Sequence, residues 1–459
     1  MKFLILGFAA MAHLVLLISA NPVQKIPLYR RTHHGFRSTK AKELKNGMLG
    51  GTVQIGNPPQ LFTLAFDTSK GFSWVRTVDC QAENCHHRCA LDPRRSTTLI
   101  DTQLPFTMHY GKGVVNTTVF LDTFRYGGLT VHQMPFGGAY AMDKFDEGFD
   151  GFLGLGRNIN LNVSIHYAKR DLPASGFVPN AFQQSAGLQS AQFGMYTTNV
   201  VHGFSSSGSL SKDEMQQQKE QPSIQQLSYT PSLSIPSSST PSSQPIQQQH
   251  NQPTKPSSVT SGGIGSLSKR HYKEQEEPAG YLVIGGIDRD AIQGNLFHIP
   301  LSANECDDHW AVPVKEAKFE DSFHIDSHAK AILSTSTDVI GLPYQQAQEF
   351  KERWYAVYDE QDNTFMIPCC LMQQLTSFKI RLGDIHVVIP PHYWSYPRQV
   401  DSCCELCRTH IGKSESDTDF VIGSSFTNAF YTQYDAEQER ISLALKKNHH
   451  HDGLKVYQA

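Results

Sequence analysis

The segment Leu64-Ala65-Phe66-Asp67-Thr68-Ser69 runs an apolar strand straight into a carboxylate followed by two hydroxyl residues. A carboxyl group in that position can sit at the floor of a cleft, hydrogen-bonded by nearby backbone and hydroxyl groups that set its proton affinity. The same pattern also suits an Asp that merely caps a turn, so the segment alone does not assign catalysis. A parallel segment follows in the second half, Ala331-Ile332-Leu333-Ser334-Thr335-Ser336-Thr337, an apolar run into a series of hydroxyl residues. Asp338 is the next carboxylate along the chain.

Other clusters offer rival chemistry. Cys80, Cys85-His86-His87 and Cys89 are zinc-ligand types, but a disulfide loop accounts for them equally. Cys404-Glu405-Leu406-Cys407 has the spacing of a redox pair without the βαβ setting such a pair needs, so its role is read as structural. The run His449-His450-His451 lies in a polar tail where three adjacent imidazoles have no fixed geometry, and it is expected to be solvated. No cofactor and no metal is expected.

The elements around these residues are strand-like. Thr52-Val53-Gln54-Ile55-Gly56 leads into an Asn57-Pro58-Pro59 turn, and Leu61 to Phe66 forms the next strand. Short strands and turns continue to about Val201 with few helical signals, which predicts a mostly-β body over 48–203. Residues 204–277 are Ser, Gln, Pro and Thr with almost no aromatic side chain. Such a stretch cannot bury enough apolar surface to offset the entropy of ordering, and it is expected to be a disordered insertion. Strand texture resumes at Tyr281-Leu282-Val283-Ile284, giving a second β-rich body over 278–445 and a polar tail over 446–459.

The beginning of the chain sets the compartment. Met1 and Lys2 precede an apolar run from Phe3 to Ile18, and Ser19-Ala20 offers small residues for cleavage. Residues 1–20 therefore read as a secretory signal peptide, with an uncleaved anchor as the alternative because Ile18 is large for its position. Residues 21–47 form a basic stretch around Lys25-Ile26-Pro27-Leu28-Tyr29-Arg30-Arg31, read as a pro-segment or a disordered basic arm. The mature chain is expected to be secreted or delivered to the lumen of an acidic compartment. No later segment approaches the ~20 apolar residues of a membrane span.

The 459 residues suggest two or three domains. With 39% hydrophobic and 18% charged residues there is material for a sizeable core. A net charge of −3 argues against nucleic acid as a partner, since phosphate affinity rests on clustered Lys and Arg. Nine cysteines fit an oxidising compartment, and the odd count leaves one thiol outside any intramolecular pairing. Asn116-Thr117-Thr118 and Asn162-Val163-Ser164 are glycosylation sequons in such a setting.

Taken in order, Gly51 to Gln60, Asp67-Thr68-Ser69, Phe72-Ser73-Trp74-Val75, Tyr110-Gly111-Lys112-Gly113, Phe149 to Gly156, Ala331 to Thr337 and Phe420-Val421-Ile422-Gly423-Ser424 resemble the pepsin-like aspartic proteases. The resemblance covers roughly 48–203 and 278–445, and the stretch Lys25 to Arg31 looks like that family's pro-segment. It implies two β-rich lobes with a deep cleft between them, each lobe supplying one Asp in an Asp-Thr-Gly turn. The two carboxylates share a proton, because like charges so close cannot both ionise. By position Asp67 matches the first catalytic Asp, Thr68 and Thr335 match the threonines that cross-brace the turns, and Tyr110 and Trp74 match the flap tyrosine and its hydrogen-bonding tryptophan. Phe152-Leu153-Gly154 and Val421-Ile422-Gly423 match the segments through which the turns are threaded. The family's early disulfide loop starts where Cys80 sits, which implies Cys80 paired with Cys85 or Cys89. One of Cys369 and Cys370 is expected to pair with one of Cys403 and Cys404.

The departures from that pattern decide the expected function. Ser334 occupies the position of the second catalytic Asp, Ser69 and Ser336 replace the glycines of the two turns, and Lys70 replaces the hydroxyl residue after the first. A serine is no general base near neutral or acid pH without an activating partner. The expectation is a catalytically impaired pseudoprotease that keeps a cleft for peptide or protein ligands, acting as a monomer. The alternatives are a working aspartic endopeptidase with an altered site, and a secreted structural or decoy protein whose insertion matters most.

Overall fold

The computed structural model describes residues 24–30 as a backbone strand, then 48–86, 88–110, 113–143, 149–157, 159, 161, 172–185, 187–198, 279–302, 309–395, 405–447 and 452–458. The signal region, Asn162 and the run His449-His450-His451 lie outside the described residues, as does the Ser/Gln/Pro-rich insertion. Contacts divide the chain into one unit of Met1–Phe204 with Glu277–Ala459 and another of Ser205–Glu276, the second lying wholly outside the described residues.

Strands dominate the first unit. A 13-stranded sheet draws on both halves of the chain, and an 8-stranded sheet and a 3-stranded sheet come from the second half. Together they make two β-rich lobes. In the large sheet the strands Ile292–Pro300, Arg440–Lys446 and Phe430–Asp435 lead into Phe193–Thr197 and Gly280–Ile284. These are followed by Gln24–Arg30, Leu49–Ile55 and Gln60–Asp67. The last of these shows why it can deliver a carboxylate. Leu61 near its start is 58% exposed, but the run Leu64 to Asp67 is buried throughout, because strands and loops cover both faces there.

A long antiparallel meander completes the first lobe. Ile100–Tyr110 pairs with Gly113–Tyr126, and that strand pairs with Leu129–Asp143. Gly127 and Gly128 have φ of 57° and 80°, the left-handed values that a two-residue hairpin turn requires. Tyr110 is opposite Gly113 at the end of the first hairpin.

The described strands that flank the insertion in sequence are neighbours. Phe193–Thr197 and Gly280–Ile284 are antiparallel neighbours with Thr197 opposite Gly280, and the Thr198 N–H donates to the Ala279 carbonyl at 2.9 Å. A hairpin so closed is complete without the residues between its ends.

Strands lie in both end segments, in the stretch read as a pro-segment or a basic arm and in the stretch read as a polar tail. Gln24–Arg30 is a strand held between Gly280–Ile284 and Leu49–Ile55, with Ile26 opposite Leu282 and Tyr29 opposite Gly50. Backbone pairing on both sides supplies its order, so it needs no apolar periodicity of its own. The tail is likewise not a uniformly solvated arm. Lys446 ends the strand Arg440–Lys446, and its buried ammonium donates to Thr197 Oγ1 and the Asn428 carbonyl, each at 2.7 Å. Beyond it, Lys455–Gln458 adds to the strand Ile385–Ile389, with Leu454 and Val456 buried. Asp452 pins this return by accepting from the Tyr393 hydroxyl at 2.7 Å and lying 3.0 Å from His392 Nε2.

The cysteine pairing joins Cys80 to one of its two expected partners and gives Cys369 a partner, Cys407, that the sequence reading did not name. Cys80 and Cys85 form a disulfide, so neither sulfur serves as a zinc ligand. Cys369 pairs with Cys407, not with Cys403 or Cys404. The reason is register: Thr364–Pro368 runs antiparallel to Leu406–Arg408 with Ile367 opposite Cys407, and the Cys369 N–H donates to the Glu405 carbonyl, which sets Cys407 diagonally across from Cys369. Cys370 is disulfide-bonded as well, with its partner outside the described residues. Cys89 is exposed and belongs to neither described disulfide.

Candidate functional site

Two loops meet where the lobes meet, and they are built alike. Asp67 ends the strand Gln60–Asp67, which runs parallel to Gly151–Gly154 with Asp67 opposite Gly154. Ser334 follows the strand Lys330–Leu333, which runs parallel to Phe420–Ile422 with Leu333 opposite Ile422. The Leu155 N–H donates to the Asp67 carbonyl at 2.7 Å, and the Ser334 N–H donates to the Ile422 carbonyl at 2.9 Å. Each threading segment ends in a glycine for a steric reason. A Cβ on Gly154 would fall 2.7 Å from the Phe72 backbone, and one on Gly423 would fall 2.4 Å from the Val339 carbonyl oxygen.

The two threonines lock these loops across the lobe boundary. The Thr68 hydroxyl donates to the Leu333 carbonyl at 2.9 Å and accepts from the Thr335 N–H at 3.1 Å. Reciprocally, the Thr335 hydroxyl donates to the Phe66 carbonyl at 2.5 Å and accepts from the Thr68 N–H at 3.0 Å. All four groups are buried, so each bond is made where water cannot replace it.

Asp67 is fully buried. Its Oδ1 accepts from the Ser69 N–H at 2.8 Å and from the Ser69 hydroxyl at 2.5 Å. Its Oδ2 is buried with no hydrogen-bond partner among the described residues. Burial raises the proton affinity of Asp67 above the ordinary carboxylate value, against the lowering effects of the Ser69 hydrogen bonds, the Lys70 charge and Ser336.

Serines continue the chain from that carboxyl group. Ser69 Oγ is 3.1 Å from Ser336 Oγ, and Ser336 Oγ is 2.9 Å from Ser334 Oγ. Asp338 stands apart from them, its Oδ2 3.1 Å from His410 Nδ1.

Aromatic residues cover the floor. The Trp74 indole N–H donates to the Tyr110 hydroxyl at 3.0 Å, and Tyr110 stacks on Phe152 with centroids 5.5 Å apart. Burial, and next the charge of Asp67, push the Tyr110 hydroxyl well above its ordinary pKa.

His309 is not among the residues that the sequence singles out. Its Nδ1 lies 2.8 Å from the Ser69 carbonyl oxygen, although 240 positions separate them in the chain. Its neighbour Trp310 donates from its indole to the Leu155 carbonyl at 2.8 Å, tying the second lobe's entry strand to the first lobe's threading segment. The motif His309-Trp310-Ala311-Val312 reads locally as the start of a buried strand, and nothing in that pattern announces the contact.

Of the other predicted positions, Lys70 is partly exposed, and its carbonyl accepts from the Gly156 N–H at 2.9 Å. Asn116 is half-buried on the meander, where its Oδ1 accepts from the Thr107 hydroxyl at 2.9 Å.

Comparison with known proteins identifies this architecture. The family model for eukaryotic aspartyl proteases matches residues 49–225 and 267–446. Gastricsin of Oryctolagus cuniculus is 23% identical over 398 residues, covering 86% of this chain and 80% of that protein. Pepsin A-5 of Mus musculus is 36% identical over a shorter stretch of 115 residues, 23% of this chain and 28% of that protein. Among solved structures, the aspartic proteinase from Irpex lacteus has a TM-score of 0.61 at 16% identity, covering 93% of this chain and 98% of that one, a likeness of fold. The chain belongs to the eukaryotic aspartyl protease family, with the pepsin-like fold of two β-rich lobes about a cleft.

Proposed function

We propose that this protein is a secreted pseudoprotease of the pepsin-like family, which holds extended peptides in its cleft and does not hydrolyse them efficiently. The carrying observation is at Ser334. The position matching the second catalytic Asp bears a hydroxyl that bonds to Ser336, and Asp338, the next carboxylate along the chain, is turned to His410. Aspartic proteolysis uses two carboxyl groups in different protonation states about one water. Asp67 provides one of them. A missing acid/base group of this kind forfeits about 10²–10⁴ in rate.

Binding is a separate matter from cleavage. The cross-braced turns, the threading segments and the Trp74–Tyr110 pair support a cleft that keeps its shape without the second carboxylate. The apolar run after Met1 supports entry into the secretory route, to the exterior or to an acidic lumen, and Asn116 and Asn162 are the glycan acceptors on this reading.

The test is calorimetry of the purified protein with an extended octapeptide at acid pH, followed by mass analysis of the recovered peptide. One-to-one binding with the peptide intact is expected. Rapid, quantitative cleavage would replace this reading with a working endopeptidase.

A further inference from the structure

Residues 452–458 form a strap beyond residue 446, where the match to the family model ends. Its strand Lys455–Gln458 is the outermost of the eight-stranded sheet. It runs antiparallel to Ile385–Ile389, with Val388 opposite Lys455 and Ile385 opposite Gln458. The strap buries Leu454 and Val456, and the Tyr457 ring stacks on His386 with centroids 5.2 Å apart. The two strands would make very different sheet edges. An edge strand presents a row of unpaired N–H and C=O groups, and short length and Lys side chains keep such a row from pairing with another chain. Lys455-Val456-Tyr457-Gln458 has both of these features. Ile385-His386-Val387-Val388-Ile389 has no Lys, no Pro and no carboxylate, and every side chain but His386 is β-branched and apolar.

We infer that the edge of Ile385–Ile389 is a self-association surface, shut in the single chain by its own strap and taken, once the strap is off, by the same edge of a second copy. Without the strap, the backbone groups it now pairs would face solvent beside an apolar strand. Two identical strands meeting antiparallel satisfy a two-fold axis, so each edge supplies the partners that the other needs. Such a pairing uses up both edges and closes as a dimer. The strap is thus a built-in competitor for the surface, and its state sets whether the chain stands alone.

Asp452 fastens the near end of the strap. Its Oδ2 accepts from the Tyr393 hydroxyl at 2.7 Å and lies 3.0 Å from His392 Nε2, and its Oδ1 accepts from the Leu454 N–H at 3.1 Å. Partial burial works to raise its proton affinity, but the Tyr393, Leu454 and His392 contacts outweigh it and hold the carboxyl below the ordinary carboxylate value. The other titratable and charged groups on the strap and on the elements packed against it are Lys455, Tyr457, His386, His392, Tyr393, His298, Arg440 and Lys446, so Asp452 is the one carboxyl in the set. Its contribution is complete above the unfolded-state value near 3.8 and is lost as pH falls through the lower folded-state value. Strong acid therefore loosens the strap, and neutral pH keeps it fastened.

The experiment uses the full chain at neutral pH, with hydrogen exchange at Lys455–Gln458 reporting the strap and sedimentation equilibrium reporting mass. Wild type should sediment as a single chain with protected strap amides. Leu454→Asp combined with Val456→Asp places charges where the strap is buried, and leaves every residue matched to the family model unchanged. That variant should lose strap protection and approach twice the wild-type mass. Adding Val388→Lys, a charge on the half-buried side of the edge, should return it to a single chain. Asp452→Ala alters no core packing and should speed strap exchange by about tenfold, the effect of one lost hydrogen bond to a charged group, with a partial shift in mass. Strap amides that exchange freely in a folded protein of single-chain mass overturn the inference, as does a dimer that survives Val388→Lys. Should circular dichroism show the double variant unfolded, Asp452→Ala decides by the same two readings, and wild-type exchange and mass from it overturn the inference as well.

Discussion

The turn Asp67-Thr68-Ser69 and the turn Ser334-Thr335-Ser336 are the same piece of architecture carrying different chemistry. Both end a strand paired in parallel with a threading segment, and both are closed by a backbone hydrogen bond to that segment. Both give a threonine to the reciprocal brace. Only one ends in a carboxyl group. The geometry of the floor is thus held by threonines, glycines and backbone, none of which depends on a second Asp. A hydroxyl residue at Ser334 is therefore compatible with the same fold. The electrostatics change more than the shape. In a pair of carboxyls, repulsion between like charges forces one to keep its proton. Here burial alone raises the carboxyl's proton affinity, against the Ser69 hydrogen bonds, Lys70 and Ser336.

Making the second turn chemically like the first is the largest expected change. Ser334→Asp, combined with Ser69→Gly, Ser336→Gly and Lys70→Ser, should raise acid peptidase activity by about 10²–10⁴ over wild type. A folded quadruple variant with wild-type turnover would break the comparison, because the missing carboxyl would then not be what separates the turns.

The lobes' disulfides give the next contrast. The Cys369–Cys407 link closes a sequence separation of 38, and the Cys80–Cys85 link one of 5. Loop-closure entropy assigns about 4 kcal/mol to the first and about 2 kcal/mol to the second. Paired Ser replacements in urea unfolding should preserve that order.

The brace should behave symmetrically. Thr68→Val and Thr335→Val each strip partners from two buried groups, so each should destabilise the protein by about 1–3 kcal/mol per group left unsatisfied. A large cost at one and none at the other would show that the turns are not equivalent in structure.

Asp67 contributes one part of the pH dependence of stability, and its variant isolates that part. Its folded-state proton affinity is raised, so its stabilising contribution is complete below the unfolded-state value near 3.8 and is lost as pH rises through the folded-state value. Each tenfold difference in proton affinity between the folded and unfolded chain corresponds to about 1.4 kcal/mol. Asp67→Asn cannot ionise, so its Tm should gain on wild type as pH rises from acid to neutral. A gain in the opposite direction would mean that the carboxylate is stabilised on folding.

Smallest of all should be the effect of removing residues 205–276. Thr198 and Ala279 already close the hairpin at its neck, and loop length alters closure entropy by only about 0.6 kcal/mol per doubling. The deletion should change Tm by no more than a few degrees.

Much of this was legible because the chemistry is written in short local runs. The apolar approach to Asp67, the hydroxyls of the two turns and the two segments ending in Gly154 and Gly423 are contiguous in sequence. The structure brings those runs together. What escaped depends on pairing between distant strands. Gln24–Arg30 has little apolar period, and backbone bonds on both sides place it inside the large sheet. Lys455–Gln458 is too short to announce an edge strand. The partner of Cys369 is chosen by the register of Leu406–Arg408, which spacing between cysteines does not encode. His309 reaches Ser69 across the lobe boundary, a contact with no local signature.

The measurement that bears most directly on the central claim is the initial rate of peptide cleavage by wild type and by Asp67→Asn across acid to neutral pH. Both proteins should be purified together with an uncut carrier to expose contaminating proteases. One carboxyl group predicts no acid-optimum turnover in wild type, and rates indistinguishable from those of Asp67→Asn at every pH. Robust acid cleavage by wild type that Asp67→Asn abolishes would contradict the account, and a second acid/base group would then have to act beside Asp67.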